Sequence, residues 1–303
     1  MPDFKEQNEY LPAILREKLP IQYANEVEKI FAGFGVNRAL TFRANTLKTT
    51  AEEVEGTLKK EGISYRRIAW YSDAFMLDSA EGSRITKLPF YERGEIYLQS
   101  LSSMLPPLVL KPRAGERILD MTAAPGGKTT QMAALSNGGA LITACEREPI
   151  RFQRLKFNLE RQGASKVNAM QMDASKLDDF FRFDKILLDA PCSGSGTFLI
   201  NQPSPISEKL MMGCVKQQKA LLAKALKLLK TGGVLLYSTC SLFKEENELI
   251  LESSLKGTGC KLVPIEEEFL CNLPLLSGRA GTITVCPNEE FEGFFLAKIQ
   301  KIN

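Results

Sequence analysis

Glu116-Arg-Ile-Leu-Asp120-Met-Thr-Ala-Ala-Pro-Gly-Gly-Lys128 decides the reading of this chain: an apolar run ends on an acid, turns through two glycines and enters a stretch of helical character. Downstream the same texture repeats. Ala140-Leu-Ile-Thr-Ala-Cys145, Val167-Asn-Ala-Met-Gln171, Phe183-Asp-Lys-Ile-Leu-Leu188 and Gly233-Val-Leu-Leu-Tyr-Ser238 read as further strands. Helical stretches at Lys128 to Ser136, Pro149 to Gln162 and Glu208 to Leu229 fall between them, the last with Leu222, Leu226 and Leu229 on one stripe. Near-continuous apolar strands alternating with amphipathic helices predict an α/β domain whose parallel sheet is covered on both faces.

Upstream of about Glu95 the pattern differs. A helical region from Glu9 to Phe34, interrupted by Pro20, precedes the strand-like Arg38-Ala-Leu-Thr-Phe-Arg43. Thr50-Ala-Glu-Glu53 is a capping box opening a helix in which Val54 and Leu58 share a face. Gly62 ends that helix, and Ile63 to Ile68 begins another strand. Residues 1–97 are therefore expected to form a small α+β domain, and residues 98–303 a larger one.

At 303 residues the chain can bury a full core, and 44% apolar with 25% charged residues is a globular composition. No apolar stretch approaches the roughly 20 residues that span a bilayer, and Met-Pro-Asp-Phe-Lys-Glu-Gln at the N-terminus lacks a signal-peptide core, so a cytoplasmic protein is expected. Seven cysteines with no C-x-x-C pair argue against a zinc site or a disulfide framework. No metal is expected. The chain contains no histidine, which removes Ser-His-Asp hydrolysis, H-E-x-x-H zinc chemistry and any imidazole base. A net charge of only +3 does not announce a nucleic-acid partner. Any such surface must be local, with Arg38, Arg43, Lys48 and the pair Arg66-Arg67 as candidates, although solvated faces are the plainer reading.

Five strand ends carry the candidate chemistry. After Asp120 the run Thr122, Ala123, Ala124, Pro125, Gly126, Gly127, Lys128 is a nucleotide-binding turn, but neither the G-x-G-x-x-G of dehydrogenases nor a phosphate loop. A ligand without phosphates suits it better than NAD or ATP. Glu146, about 20 residues after the glycines, is placed to accept hydrogen bonds from ribose hydroxyls, and Asp173 to reach an adenine amino group. Cys192 in Asp189-Ala-Pro-Cys-Ser-Gly-Ser-Gly196 and Cys240 in Ser238-Thr-Cys-Ser241 each follow an apolar run. Neighbouring parallel strands ending at one sheet edge would bring both thiols into the cleft where ligands of open α/β sheets bind. The other cysteines, Cys145, Cys214, Cys260, Cys271 and Cys286, read as small buried hydrophobes.

Asp-Met-Thr-Ala-Ala-Pro-Gly-Gly-Lys-Thr, Asp-Ala-Pro-Cys-Ser-Gly and Ser-Thr-Cys-Ser-Leu, in this order, resemble the S-adenosylmethionine-dependent RNA cytosine-5 methyltransferases of the Sun/Nop2 family. Arg43-Ala-Asn-Thr-Leu-Lys48, Tyr97 to Ser103 and Gly293-Phe-Phe-Leu-Ala-Lys298 are similar to further family segments. The chain departs from the family pattern at Thr122, at Phe198 to Pro205, which has neither the usual arginine nor the tryptophan, and at Cys286-Pro-Asn288. It also stops just after the last core strand, so no appended C-terminal RNA-binding domain is expected.

The resemblance implies a Rossmann-like methyltransferase domain with a mostly parallel seven-stranded sheet, acting as a monomer on ribosomal small-subunit RNA or on transfer RNA. It implies S-adenosyl-L-methionine bound by residues 122–128, Glu146, Asp173 and Asp189. It further implies Cys240 as the nucleophile that adds to carbon 6 of cytosine, Cys192 as the helper in product release, and Asp189 as the hydrogen-bond partner of the cytosine edge. A thiolate is the side-chain nucleophile best populated near neutral pH, which suits this covalent route. A DNA cytosine-5 methyltransferase and a non-catalytic ribosome-assembly factor are the alternatives.

Overall fold

Pro20 lies inside the first helix, α1 (Ala13–Tyr23), and does not interrupt it. The break comes four residues later at Ala24, whose φ of +38° turns the chain through one 3-10 turn into α2 (Val27–Phe34). A computed structural model describes residues 10–78 and 81–303, so Glu9, where the helical reading began, lies outside the described residues. The described chain divides into two compact units. One comprises Met1–Arg38, Leu188–Glu266 and Leu273–Asn303, and the other comprises Ala39–Leu187 with Glu267–Asn272. Contacts thus group the chain differently from the contiguous 1–97 and 98–303 division, because α1 and α2 bury Leu15, Leu19, Ile30 and Phe34 in a cluster with Phe198, Leu242 and Phe243.

The second unit opens with a four-stranded antiparallel sheet in the order β2-β3-β1-β4, from β1 (Leu40–Ala44), β2 (Tyr65–Arg67), β3 (Ala74–Leu77) and β4 (Ile96–Leu98). Helix α3 (Ala51–Lys60) buries Val54 and Leu58 against it, the face legible from their i, i+4 spacing. Phe42 on β1 stands opposite Phe75 on β3, and their rings stack with centroids 5.0 Å apart. Such a pair contributes about 0.5–1.5 kcal/mol beyond its buried area. Two short helices, α4 (Gly82–Ile85) and α5 (Pro89–Glu92), lie between β3 and β4, and α6 (Leu101–Leu110) follows.

The same unit continues into the alternating part of the chain: β5 (Arg117–Asp120), α7 (Gly127–Leu135), β6 (Leu141–Glu146), α8 (Pro149–Arg161), β7 (Asn168–Gln171) and β8 (Phe183–Asp189). β5 pairs in parallel with β6 and with β8, and β6 with β7. The four strands read here from the sequence are present within a residue or two, whereas the next, read from Gly233, begins four residues earlier at Leu229. Strand β8 passes from the second unit to the first at Leu187/Leu188. There the chain adds α9 (Glu208–Leu228), β9 (Leu229–Thr239), α10 (Glu248–Ser254), β10 (Cys260–Leu262), β11 (Leu275–Leu276), β12 (Thr282–Val285) and β13 (Phe294–Lys301).

The sheet path is β11-β12-β13-β9-β8-β5-β6-β7, with β10 paired to β13 beside it. Among the described residues it therefore counts nine strands, not seven, and is mixed: β13 runs antiparallel to β9, and β12, β11 and β10 are antiparallel as well. The two additions, β10 and β11, are three and two residues long, too short to show a period in sequence.

Thr50 accepts a hydrogen bond from the Glu53 N–H, while the Glu53 carboxylate accepts one from the Thr50 N–H. Thr50→Ala removes the first of these. The variant is expected to unfold in urea with about 1 kcal/mol less free energy, and an unchanged midpoint would refute the capping role.

Candidate active site

In the first unit the ends of β8 and β9 lie side by side, since the Ala190 N–H donates to the Ser238 carbonyl at 2.8 Å. The two chains therefore leave the sheet at the same edge. Cys192, three residues past the end of β8, and Cys240, one past β9, meet there with their sulfurs 2.7 Å apart. Both are half-buried. Asp189 ends β8, and its Oδ1 accepts a hydrogen bond from Ser238 Oγ at 2.7 Å. The three residues expected to carry chemistry thus share one strand edge.

What holds the two turns together is a residue the sequence did not single out. Glu246 is fully buried, and its carboxylate accepts from the Ser193 N–H (2.8 Å) and Gln218 Nε2 (3.3 Å) on Oε1 and from the hydroxyls of Ser193 and Ser241 on Oε2. Ser193 follows Cys192 and Ser241 follows Cys240, so one carboxylate ties down the residue behind each thiol. Asn247 adds a second clamp, accepting from Thr239 Oγ1 (2.6 Å) and donating to the Ser241 carbonyl (2.8 Å). Gln218 on α9 also donates to the Pro191 carbonyl at 2.8 Å. In the sequence Lys244-Glu-Glu-Asn-Glu248 looks like a solvated charged run, and nothing local marks Glu246 as interior.

The turn after Cys192 is tight for a steric reason. A side chain at Gly196 would meet the Gly293 carbonyl oxygen at 2.0 Å, and Gly293 donates its N–H to the Gly196 carbonyl at 2.8 Å. Arg38 closes the far side, its guanidinium donating to the carbonyls of Gly196, Thr197 and Phe198.

The thiols differ in character. The hydrogen bond with Cys240 and then burial push the Cys192 thiol well above the ordinary range, and the nearby Glu246 carboxylate adds to this. Cys192 therefore keeps its proton at neutral pH and can donate it to a neighbouring sulfur. Burial raises Cys214 and Cys286 to about 11 and Cys145 to about 12, as expected of thiols that only pack.

The second unit carries the glycine turn. Asp120, 1% exposed at the end of β5, accepts from Thr129 Oγ1 at 2.7 Å and so ties the strand to the first turn of α7. Gly126 has φ +109°, a conformation that side chains rarely adopt. A Cβ on Gly127 would stand 2.9 Å from the Tyr97 ring. Side-chain donors take the turn's carbonyls: Arg151 that of Ala124 (2.9 Å), Asn158 that of Pro125 (2.8 Å) and Arg43 that of Gly127 (3.2 Å). The loop is thereby pinned through its carbonyls at the N-terminus of a nine-residue helix, whose first N–H groups have no partner within the helix.

Glu146 ends β6 and is 4% exposed. Its Oε1 accepts the Glu148 N–H at 2.9 Å, while Oε2 lies 3.6 Å from the Arg151 guanidinium, an ionic contact that leaves this buried carboxylate oxygen able to accept hydrogen bonds. Asp173 caps a 3-10 turn through Ser175, the plainer of the two roles open to it. Burial works to raise its pKa, but the bonds from Ser175 outweigh it and the carboxyl is lowered.

The cations considered for nucleic acid are mostly committed elsewhere. Arg43 is fully buried and also donates to Gln99 Oε1 (3.0 Å) and Thr130 Oγ1 (2.8 Å). Lys48 donates to the carbonyls of Arg93 and Arg161, and Arg67 pairs with Glu55 at 3.0 Å. Among the described residues no cluster of acids or cysteines could hold a metal ion, and no helix is long and apolar enough to cross a membrane.

A glycine turn at a parallel strand end, followed by acids at the next strand ends, defines the class as an α/β fold of the Rossmann-like methyltransferase kind. The family described as 16S rRNA methyltransferase RsmB/F matches residues 107–300, and its ferredoxin-like domain matches residues 11–82. The chain belongs to this family. It is 34% identical over 283 residues to ribosomal RNA small subunit methyltransferase F of Shewanella halifaxensis, covering 87% of this chain and 59% of that protein. It thus spans less than two thirds of that relative. With the tRNA (cytosine(72)-C(5))-methyltransferase of Pyrococcus horikoshii it shares 33% identity, covering 97% of this chain and 71% of the relative. A crystal structure of a methyltransferase homolog from Pyrococcus horikoshii superposes with TM-score 0.85 at 32% identity, covering 99% of both chains. That of NSun6 from the same organism with SFG gives 0.85 at 26%, covering 96% of this chain and 98% of the other.

Burial raises the Glu246 pKa against the opposing hydrogen bonds of Ser193, Ser241 and Gln218. A carboxyl whose pKa rises on folding binds its proton more tightly in the native state. Its contribution is therefore present at low pH and lost as pH climbs from the ordinary value, about 4.3, through the raised one. Urea midpoints across that interval are expected to fall more for the wild type than for Glu246→Gln. Glu246→Gln is also expected to be less stable near neutrality by about 1–3 kcal/mol, since its amide faces four donors. Parallel pH slopes would refute the assignment.

Proposed function

We propose that this chain transfers a methyl group to carbon 5 of a cytosine in RNA through a covalent Cys240 adduct. The observation that carries this reading is the meeting of Cys192 and Cys240 at 2.7 Å beside Asp189, at the edge where β8 and β9 end. Family membership and relatives named as rRNA and tRNA cytosine-5 methyltransferases support it.

Carbon 5 of cytosine is a weak nucleophile. Addition of the Cys240 thiolate at carbon 6 forms a C–S bond and pushes electron density to carbon 5, which then attacks an electrophilic methyl group. Asp189, its Oδ1 oriented by Ser238, hydrogen-bonds the cytosine edge and stabilises the protonated ring nitrogen. Cys192 retains its proton during addition. Afterwards the carbon 5 proton passes to solvent water while Cys192 assists by donating its own proton to the departing Cys240 sulfur, so that the C–S bond breaks, Cys240 leaves as a thiol and the Cys192 thiolate regains a proton from solvent. Glu246 and Asn247 keep the two turns in register through both steps.

S-adenosyl-L-methionine supplies the electrophilic methyl and leaves as S-adenosylhomocysteine. The residues fit it: the pinned turn at 122–128 offers backbone N–H groups, Glu146 Oε2 can accept from ribose hydroxyls, and Asp173 and Asp189 stand at the following strand ends. The family relative with SFG, an analogue of this cofactor, supports the assignment. Small-subunit ribosomal RNA is the preferred substrate, transfer RNA the second. Residues 1–97 contribute to RNA binding, and the enzyme works in the cytoplasm as a monomer.

In vitro methylation with labelled cofactor and RNA tests the roles. Cys240→Ala is expected to fall to background. Cys192→Ala is expected to accumulate an RNA adduct that survives denaturation. Full activity in Cys240→Ala would sink the proposal, and an adduct formed by Cys240→Ala but not by Cys192→Ala would reverse the roles.

A further inference from the structure

Helix α8 has two apolar faces, and only one of them is buried. Phe152, Leu155 and Leu159 face the core, as the 3.6-residue period requires. Ile150, Arg154, Phe157 and Arg161, spaced by four, three and four residues, form a second stripe. Ile150 is 74% exposed and Phe157 61% exposed. The outer face of a helix is ordinarily polar, so an exposed stripe of this composition calls for an occupant.

That stripe lines a pocket of about 680 Å³ with Tyr91, Tyr97 and Pro125. Its chemistry is specific. Three aromatic side chains and two arginines line it, and no carboxylate does. The Arg161 guanidinium lies 4.8 Å from the Tyr91 ring centroid and 5.4 Å from that of Phe157, and its Nε is buried without a hydrogen-bond partner among the described residues. Arg154 is exposed and makes no hydrogen bond or ion pair among them. Pro125, on the rim, belongs to the glycine turn whose carbonyl is held by Asn158.

We infer that this pocket holds a single-stranded segment of the RNA substrate, with a base stacked on Phe157 and Tyr91 and a phosphate on Arg154. The inference rests on the RNA reading above and adds the surface that receives the strand. Single strands are bound by aromatic platforms interleaved with cations, because every base offers a π-face and every linkage a negative charge. The absence of carboxylates and the two arginines suit a polyanion. A protein partner of ordinary composition would leave that charge unmatched.

Binding of a fluorescein-labelled single-stranded oligoribonucleotide, followed by anisotropy at several salt concentrations, tests this. Phe157→Ala is expected to weaken affinity about 5- to 150-fold, the range for loss of one stacked base. Arg154→Ala is expected to reduce the slope of log affinity against log salt by about 0.7, one phosphate contact. Phe180→Ala, which truncates an aromatic 92% exposed outside the pocket, is expected to bind as wild type does. If the wild type binds while Phe157→Ala and Arg154→Ala match it, the pocket is not the RNA site, and a protein-docking face takes its place. If the wild type itself binds no RNA, the reading of an RNA substrate falls, and this inference with it.

Discussion

A single buried carboxylate organises the thiol pair. Glu246 gathers four hydrogen bonds, three of them from the serines that follow Cys192 and Cys240. Beside it the two turns are joined by the bond from Gly196 N–H to the Cys240 carbonyl at 2.9 Å and by Ser195 Oγ, which bonds Ser241 Oγ at 2.9 Å and accepts from the Leu242 N–H at 2.8 Å. Burying a carboxylate is costly unless its oxygens are satisfied, and here three of the four hydrogen bonds come from the turns it holds and the fourth from Gln218 on α9. Stability and geometry at this edge therefore have one source.

The glycine turn in the second unit uses the opposite device. Its carbonyls are bound by three side chains from two elements, Arg43 on β1 and Arg151 and Asn158 on α8. Arg43 is the costliest of these. Burial pushes its guanidinium pKa down, and its Nη1 has no hydrogen-bond partner among the described residues. A fully buried cation is retained because it joins the four-stranded sheet to the turn, with Tyr97 5.3 Å beneath it. Arg43, Ala44 and Asn45 at the start of its segment are buried scaffold, while Thr46 and Lys48 stay exposed.

Most of the α/β alternation was legible because long apolar strands and striped helices carry their own period. The capping box at Thr50 and the strand-end positions of Asp189, Cys192 and Cys240 were legible for the same local reasons. The fifth of the chain after Cys240 was legible only at its last strand. β10 and β11 are too short to show alternation, and β12 and β13 turn the sheet antiparallel through pairings that no local pattern announces. Arg38 likewise read as surface charge, yet it closes the turn at 196–198, because its partners are carbonyls some 160 positions away.

By itself the sequence determined which residue types end the strands, since an apolar run followed by Pro-Cys-Ser-Gly or Thr-Cys-Ser is a property of neighbours along the chain. It bounded the class of chemistry too, since a chain without histidine has no imidazole base and must rely on Cys, Asp, Glu, Lys, Ser or Tyr. Only the tertiary structure decided that the two sulfurs approach to 2.7 Å and that Glu246, not a surface acid, is what holds them. It also decided that α8 keeps a second aromatic and basic face open. These are distances between residues remote in sequence, set by strand order and packing, and no local propensity encodes them.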